Sequence, residues 1–191
     1  MLYAQVHLTL PAWVHDAVDI GRVYAPDVEK VGLAIELSQR NVEANTGGPF
    51  GAAVFGPDDR IIAIGVNRVV PHACSVAHAE MMAYMLAQGR TQRRRLNRDE
   101  HENPTGPITL ATSAQPCCQC YGATVWAGID RLLIGARAED VMALTEFDEG
   151  PLPADWVAEL NVRGIEVARD IERDAACAVL RAYGELGGQR Y

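Results

Sequence analysis

Three of the five cysteines in this 191-residue chain, Cys117, Cys118 and Cys120, lie within four consecutive positions. A disulfide framework spreads its cysteines to close loops, whereas the ligands of a metal ion must converge on one point. Residues 1–20 lack the basic start and uninterrupted apolar stretch of a signal peptide, so we expect reduced thiols and a cytoplasmic protein. The cluster therefore predicts a metal site, and the fold must bring further ligands to it.

A second motif, His78-Ala79-Glu80, begins 39 positions before Cys117. Alone, a His-x-Glu motif is weak evidence, because most histidines at a helix start are surface or capping residues. A lone Cys-x-x-Cys motif has three interpretations: a redox pair, half of a structural zinc site, or two buried thiols. The early strand–helix–strand unit that usually carries a redox pair is missing here. A closed structural site would need a fourth ligand, for which Cys74 and Cys177 are the candidates.

The rest of the chain alternates between strand and helix patterns. Helical spacing of apolar residues marks five helices, and short apolar runs between turn residues mark five strands. The predicted helices cover 27–45, 75–88, 116–127, 155–161 and 172–183, and the predicted strands cover 52–56, 61–66, 108–112, 131–135 and 164–168. The first two strands form a hairpin, and Gly89 is expected to cap the second helix. The alternation predicts an α/β protein with a mostly parallel sheet covered on both faces.

The two motifs can form one site because each lies at the start of a helix that follows a strand. A parallel sheet brings such helix starts together at its C-terminal edge. Cys117 and Cys120 share one helical face, and a helix N-terminus favours the thiolate form that zinc binds. Pro116 and the two-residue gap to Cys120 favour Cys117 over Cys118 as the ligand. With His78, these three ligands leave the fourth tetrahedral position of Zn²⁺ to water, as in catalytic zinc sites.

Glu80 lies two positions after the predicted histidine ligand, in the first turn of a helix. A carboxylate there reaches over the helix end toward a water at the fourth metal position. It can take a proton from that water and later deliver protons to a ring nitrogen and a departing amine. The alternative is a carboxylate that only stabilises the helix dipole. That alternative leaves the coincidence with three metal ligands unexplained, so we predict Glu80 as the catalytic acid and base.

The charge balance restricts the partners of the chain. The net charge is −8 and the pI is about 5.1, which argues against a general binder of nucleic acid or anionic membranes. No apolar run approaches the roughly 18 residues of a membrane span. The segment 89–107 contains five arginines and three acidic residues. We interpret it as a solvated loop, and the alternative is a nucleic-acid contact.

The H-x-E…P-C-x-x-C arrangement is the zinc deaminase signature. The chain resembles the cytidine deaminase superfamily and, within it, the bacterial guanine deaminases. Beyond the zinc motif, the likeness runs over 28–183 and rests on residues 47–52, Asn67, 112–114, 147–151, Pro153 and Trp156. The resemblance implies a three-layer α/β/α sandwich with a mixed, mostly parallel five-stranded sheet, and a homodimer.

The resemblance also implies three further site residues. Phe50 would pack against the plane of a base, Asn67 would hydrogen-bond the polar edge of the base, and Glu149 would be a second carboxylate that contacts ring N–H groups or assists proton transfer. The alternatives are a core residue for Phe50, a turn residue for Asn67 and a solvated loop acid for Glu149. In some members a C-terminal segment closes the site, so the tail 184–191 is either a lid or a disordered end.

Three positions depart from the pattern of the family. Gln115 stands where a glutamate usually precedes the Pro-Cys pair, Gln119 replaces a common methionine, and His72 is an unexpectedly bulky residue. None of these departures alters the predicted zinc chemistry. They bear on the preferred base, because Gln115 removes a carboxylate from the neighbourhood of the site.

The sequence therefore predicts a single zinc-dependent deaminase domain over 1–191, with an N-terminal extension at 1–26. The predicted reaction is hydrolytic deamination of a free base, guanine first, with isoguanine or the amino-s-triazine ammeline close behind. The predicted partner is thus a small heterocycle, with neither nucleic acid nor membrane. The alternatives are a cytosine or cytidine deaminase, a tRNA adenosine deaminase that uses the arginine-rich loop, and a protein with structural zinc.

Overall fold

The computed structural model describes residue 2 and residues 4–189, and it contains one five-stranded sheet. The strands are β1 (Gly51–Phe55), β2 (Ile61–Val66), β3 (Thr109–Ala114), β4 (Arg131–Ala136) and β5 (Glu166–Ala168). The helices are α1 (Val14–Ala17), α2 (Asp27–Glu43), α3 (Val69–His72), α4 (Ala79–Thr91), α5 (Cys118–Ala127), α6 (Ala138–Thr145), α7 (Trp156–Val162) and α8 (Arg173–Glu185). The predicted alternation of strands and helices is therefore observed.

The order of the strands in the sheet is β2-β1-β3-β4-β5. The strand β1 is antiparallel to both β2 and β3, whereas β4 and β5 continue parallel to β3. Four strands therefore point in one direction, and only β1 is reversed. This arrangement confirms the mixed, mostly parallel sheet that was predicted, and it places the C-terminal ends of β2 and β3 at the same edge.

Helices cover both faces of the sheet and bury two separate apolar clusters. One cluster joins α2, α6 and α8 to one face, and the other joins α4, α5 and α7 to the opposite face. Every residue of β3 is buried, as expected for a central strand between two helical layers. The three-layer α/β/α sandwich is thus confirmed.

Two strand glycines let the helices approach the sheet closely. A Cβ atom on Gly51 would lie 2.3 Å from the carbonyl oxygen of Ala34 in α2. A Cβ atom on Gly65 would lie 2.0 Å from the carbonyl oxygen of Ala79, the first residue of α4. Both distances are far below van der Waals contact, so a side chain at either position would push the helix away. Gly65 therefore sets the position of the N-terminal end of α4.

The structure corrects two predicted helix ends. The helix α4 begins at Ala79 rather than at 75, because the preceding residues form a turn in which the amide of Ala77 donates to the oxygen of Cys74. Gly89 is not the C-cap, so that prediction is wrong. The helix continues to Thr91, and Gln92 adopts the left-handed conformation that ends it, with its side chain donating to the oxygen of Gly89.

The segment 4–26, predicted as an N-terminal extension, packs against the domain. Trp13 and Val14 contact the apolar cluster on the α2 side, and the Trp13 indole donates a hydrogen bond of 3.0 Å to Thr46. His72 explains part of this docking, because its Nε2 lies 2.9 Å from the oxygen of Thr9. The bulky residue at position 72 therefore anchors the N-terminal segment at the end of α3.

The remaining differences are short elements. The helices α1, α3 and α6 were not predicted. The structure places 184–185 of the predicted tail in α8, while 190 and 191 lie outside the described residues. Within the described part of the chain, every helix is too short or too polar to span a bilayer.

Candidate active site

Two helix starts meet at the C-terminal edge of the sheet. After β2, the chain passes through α3 and a turn before α4, and His78 is the N-cap of α4. After β3, the chain passes through Gln115 and Pro116 to Cys117, which is the N-cap of α5. Cys120 lies in the first turn of the same helix and is fully buried. The predicted convergence of the two motifs is therefore what the fold produces.

The three predicted metal ligands form a compact cluster. The Nδ1 atom of His78 lies 3.4 Å from Cys117 Sγ and 3.6 Å from Cys120 Sγ, and all three ligand atoms lie within 4.8 Å of one another. A tetrahedral zinc ion with ordinary Zn–N and Zn–S bonds holds such atoms about 3.5 Å apart. One imidazole and two thiols at this spacing fit Zn²⁺, so these residues would hold it.

The other cysteines do not join this cluster. Among the described residues, the cluster of histidine, cysteine and carboxylate ligand atoms contains only His78, Cys117 and Cys120. Cys118 is exposed, and Cys74 and Cys177 lie elsewhere. No fourth protein ligand is therefore available within the described chain, which is the arrangement of a catalytic rather than a closed structural site.

The cluster favours a thiolate even before metal binding. Hydrogen bonds from Cys120 and His78 lower the pKa of the Cys117 thiol to about 4, against the opposing effect of burial. Burial by itself lowers the pKa of His78, but the hydrogen bond with Cys117 and the charge of Glu80 raise it overall. A preformed thiolate reduces the proton release that accompanies metal binding.

Glu80 lies in the first turn of α4 and lines a cavity beside the ligand cluster. Only 7% of this residue is exposed. Burial, followed by the negative charge of Cys117, raises its pKa to about 7. A carboxyl group with a pKa near neutrality can both accept and return a proton at physiological pH. The charge of a bound cation would lower this pKa and favour the carboxylate.

A cavity of about 240 Å³ opens beside the ligand cluster. Its walls comprise Phe50, Asn67, Val69, Ser75, His78, Glu80, Gln115, Cys117, Phe147, Asp148 and Glu149. The fold therefore brings Phe50, Asn67, Glu80 and Glu149 together around one space. Cys120, the third residue of the ligand cluster, is not among the residues that line the cavity. The sequence analysis assigned no site role to four of these residues, Val69, Ser75, Phe147 and Asp148. Only Phe147 and Asp148 could have been found from the sequence, because they adjoin the predicted site residue Glu149.

Asn67 lines this cavity and is held firmly in place. It is almost completely buried immediately after β2, and its Oδ1 accepts a hydrogen bond of 3.2 Å from the amide of Val69. Its backbone is held as well, because its amide donates to the oxygen of Phe50 and its oxygen accepts from Asn41. An amide side chain held through Oδ1 in this way can donate from Nδ2 to an acceptor on a ligand.

The apolar part of the wall is a short chain of aromatic rings. The rings of Phe50 and Phe147 lie 5.5 Å apart at 55°, and those of Phe147 and Tyr183 lie 6.0 Å apart at 21°. Phe50 therefore packs against the core and also lines the cavity. A flat heterocycle would pack against such a surface.

Glu149 enters the cavity from the segment between α6 and α7. The amide of Cys118 donates a hydrogen bond of 3.0 Å to the backbone oxygen of Glu149, which ties this segment to the start of α5. The next residue, Gly150, has φ +67°, and a Cβ atom there would lie 2.5 Å from Cys118 Sγ. Burial, followed by the charges of Cys117 and Glu80, raises the pKa of Glu149 to about 8. The alternative of a solvated loop acid does not match this burial.

A mixed sheet between helices, with His-x-Glu and Cys-x-x-Cys at two adjacent helix starts, defines a zinc-dependent deaminase that acts by hydrolysis. The chain belongs to the family described as the cytidine and deoxycytidylate deaminase zinc-binding region, which it matches over residues 27–136. The membership agrees with the fold and with the cofactor, Zn²⁺.

Similar proteins include deaminases of two bases. A solved structure of guanine deaminase from Nitrosomonas europaea is 41% identical, with a TM-score of 0.88 over 97% of this chain and 99% of the other. A variant of the protein NE0047 in complex with 8-azaguanine shows the same identity, TM-score and coverage. The probable cytosine deaminase of Schizosaccharomyces pombe is 31% identical over 138 residues, which is 72% of this chain and 76% of the relative.

Proposed function

We propose that this protein hydrolyses guanine to xanthine and ammonia, with isoguanine and ammeline as further substrates. The observation that carries this proposal is the second buried carboxyl group, Glu149, in the same cavity as Glu80. The similar solved structures, which include a guanine deaminase and a complex with 8-azaguanine, support the same choice.

In the proposed mechanism, one set of residues binds the metal and another residue transfers the protons. His78, Cys117 and Cys120 hold Zn²⁺, which when bound supplies water activated near neutral pH. Glu80 takes a proton from the attacking water and returns protons to a ring nitrogen and to the departing amine. The position of Glu80 supports this role, because it lies in the first turn of α4, two positions after the N-cap ligand His78.

The proposed recognition of guanine uses three side chains. Asn67 donates from Nδ2 to an acceptor on the base, such as the carbonyl oxygen of guanine. Glu149 accepts from the N–H groups of the ring, and burial of its carboxyl group strengthens this contact. Phe50 packs against one face of the heterocycle. Isoguanine and ammeline also place an amine on a ring carbon near a carbonyl group and N–H donors.

A cytosine deaminase is the second candidate, because the Schizosaccharomyces pombe relative is described as one. A cytosine pocket has less need of a second carboxylate, since cytosine presents fewer N–H donors to it. The tRNA adenosine deaminase alternative receives less support from a chain of net charge −8.

The experiment is ammonia release from a panel of bases by the zinc-loaded protein, with Glu80→Ala as the blank. The panel contains guanine, isoguanine, ammeline, cytosine, adenine and their nucleosides where these exist. Turnover of guanine or its analogues that disappears in the blank supports the proposal. Turnover of cytosine alone would keep the chemistry and overturn the substrate. If none of these compounds is deaminated, the result would favour an RNA substrate instead.

We also propose a homodimer. Met85 and Leu86 on α4 and Trp126 on α5 are exposed, and the two helices are neighbours on one side of the sheet. Burial of such apolar surface stabilises pairs of subunits. Sedimentation should give a dimer that Trp126→Arg weakens, whereas a monomeric wild-type protein would contradict the proposal. The cytoplasmic location stays a prediction.

A further inference from the structure

Gln115 is a buried polar residue in the wall of the cavity that none of the roles above uses. It follows the last residue of β3 and immediately precedes Pro116 and the metal ligand Cys117. Its amide donates a hydrogen bond of 2.8 Å to the oxygen of Ala136 in β4, which fixes the backbone at this point. Only 6% of the residue is exposed, and it is one of the residues that line the cavity, with Glu80 and Cys117.

The side-chain oxygen of Gln115 is buried and, within the described residues, has no hydrogen-bond partner. Two other buried amides beside the cavity do have hydrogen-bond partners for their side-chain oxygens. Asn41 donates to the oxygens of Gly48 and Asn67 and accepts from Thr46, and Asn67 accepts from Val69. A buried acceptor without a partner destabilises a folded protein, and such groups in native structures require an explanation.

A bound base would supply the missing donor. The terminal amide torsion of glutamine is soft, so a small rotation brings Oε1 to the surface of the cavity. Guanine and related amino-heterocycles carry ring N–H groups and an exocyclic amine, all of which are donors. The neutral amide also provides an acceptor without adding another acid to a cavity that Glu80, Asp148 and Glu149 already line.

We propose that Gln115 binds the substrate, with its side-chain oxygen accepting a hydrogen bond from an N–H group of the heterocycle. This inference rests on the proposed deaminase function and extends it to a further specificity-determining residue. The contact is made on binding and is retained during the reaction. Its loss therefore weakens binding of substrate and transition state together, which raises KM and leaves kcat little changed.

The test compares Gln115→Leu with a matched control. Gln119 also has a buried amide atom without a partner, but it does not line the cavity, so Gln119→Leu is the control. For Gln115→Leu we expect a KM about tenfold higher for the best base of the panel, since one hydrogen bond contributes about that factor. We expect a Tm equal to or above the wild-type value, because the substitution removes an unsatisfied polar group. Gln119→Leu should leave KM unchanged.

A second measurement uses 8-azaguanine as a probe of binding without turnover. A saturating concentration should raise the Tm of the wild-type protein and of Gln119→Leu more than that of Gln115→Leu.

The outcomes separate this inference from the proposed function. If the wild-type protein deaminates a base and Gln115→Leu has an unchanged KM for it, the inference is wrong and the function stands. If both Gln115→Leu and Gln115→Met lower the Tm by several degrees, Gln115 is a structural residue and the inference is also wrong. If the wild-type protein deaminates none of the bases, the proposed function fails, and the inference fails with it.

Discussion

Cys117 Sγ lies 3.4 Å from His78 Nδ1, although 39 positions separate the two residues in the chain. Each residue is the N-cap of a helix, and each helix follows a strand that ends at the same edge of the sheet. The distance suits two ligands of one zinc ion. The zinc site therefore depends on the relative position of α4 and α5, and on Gly65, which lets α4 lie close to β2.

Loss of one ligand should abolish stoichiometric zinc binding. Cys120→Ser replaces a buried thiol by a hydroxyl, which binds Zn²⁺ far more weakly. We expect the zinc content measured by plasma mass spectrometry after dialysis to fall from about one ion per chain to below about a tenth. Cys118→Ser is the control, because that thiol is exposed and outside the cluster. Equal zinc loss in both variants would contradict the assignment.

Glu80→Gln should separate metal binding from catalysis. The amide is isosteric with the carboxyl group but cannot accept and return protons. We expect kcat to fall by roughly 10²–10⁴-fold while zinc content stays at the wild-type level. Turnover and metal analysis on the same preparation measure both quantities. Near-normal activity in this variant would exclude Glu80 as the proton carrier.

Glu149 should matter more for purines than for pyrimidines. Its proposed contacts are to ring N–H groups that guanine presents and cytosine largely lacks. For Glu149→Ala we expect the ratio of kcat/KM for guanine to that for cytosine to fall at least about tenfold, which corresponds to the loss of a charged hydrogen bond. Parallel losses on the two bases would show that Glu149 does not select between them.

Asp140 should contribute stability at neutral pH that disappears in acid. Arg173 makes two hydrogen bonds of 2.7 Å to its carboxylate, and these lower the pKa of Asp140 from 3.8 to about 2. Its carboxylate also accepts from the amide of Arg137 at the start of α6. Because the folded-state pKa is depressed, the stabilisation is complete above about pH 4 and is lost as the pH falls toward 2.

The measurement is urea unfolding of the wild-type protein and of Asp140→Asn. The difference in unfolding free energy should be about 2 kcal/mol at pH 7 and should shrink below pH 4. Glu139→Gln is the control, since its exposed pair with Arg137 contributes less than about 1 kcal/mol. A difference between wild type and Asp140→Asn that is independent of pH would contradict this account.

Several parts of the fold follow from local patterns. The helix α2 and the strands β2 and β4 lie where apolar spacing predicted them, within a few residues. The start of α4 differs from the prediction, because a turn closed by the amide of Ala77 occupies the positions before it. The end of α4 also differs, because Gln92 rather than Gly89 adopts the left-handed conformation. Such ends depend on which hydrogen bonds the surrounding chain leaves open.

The zinc chemistry of this protein could be predicted from the amino-acid sequence alone, because the identity and spacing of His78, Cys117 and Cys120 are those of zinc ligands. It also indicated the layered fold, since alternating apolar patterns dictate what must be buried. The family resemblance implied that Asn67 and Glu149 belong to the site and that Gln115 is near it, but the single cavity that all three line is formed by the folded structure. These residues come from separate parts of the chain, and their environment is created by packing. Burial raises the pKa of Glu149 and leaves the oxygen of Gln115 without a partner, and neither effect exists until the sheet and its helices have closed around them.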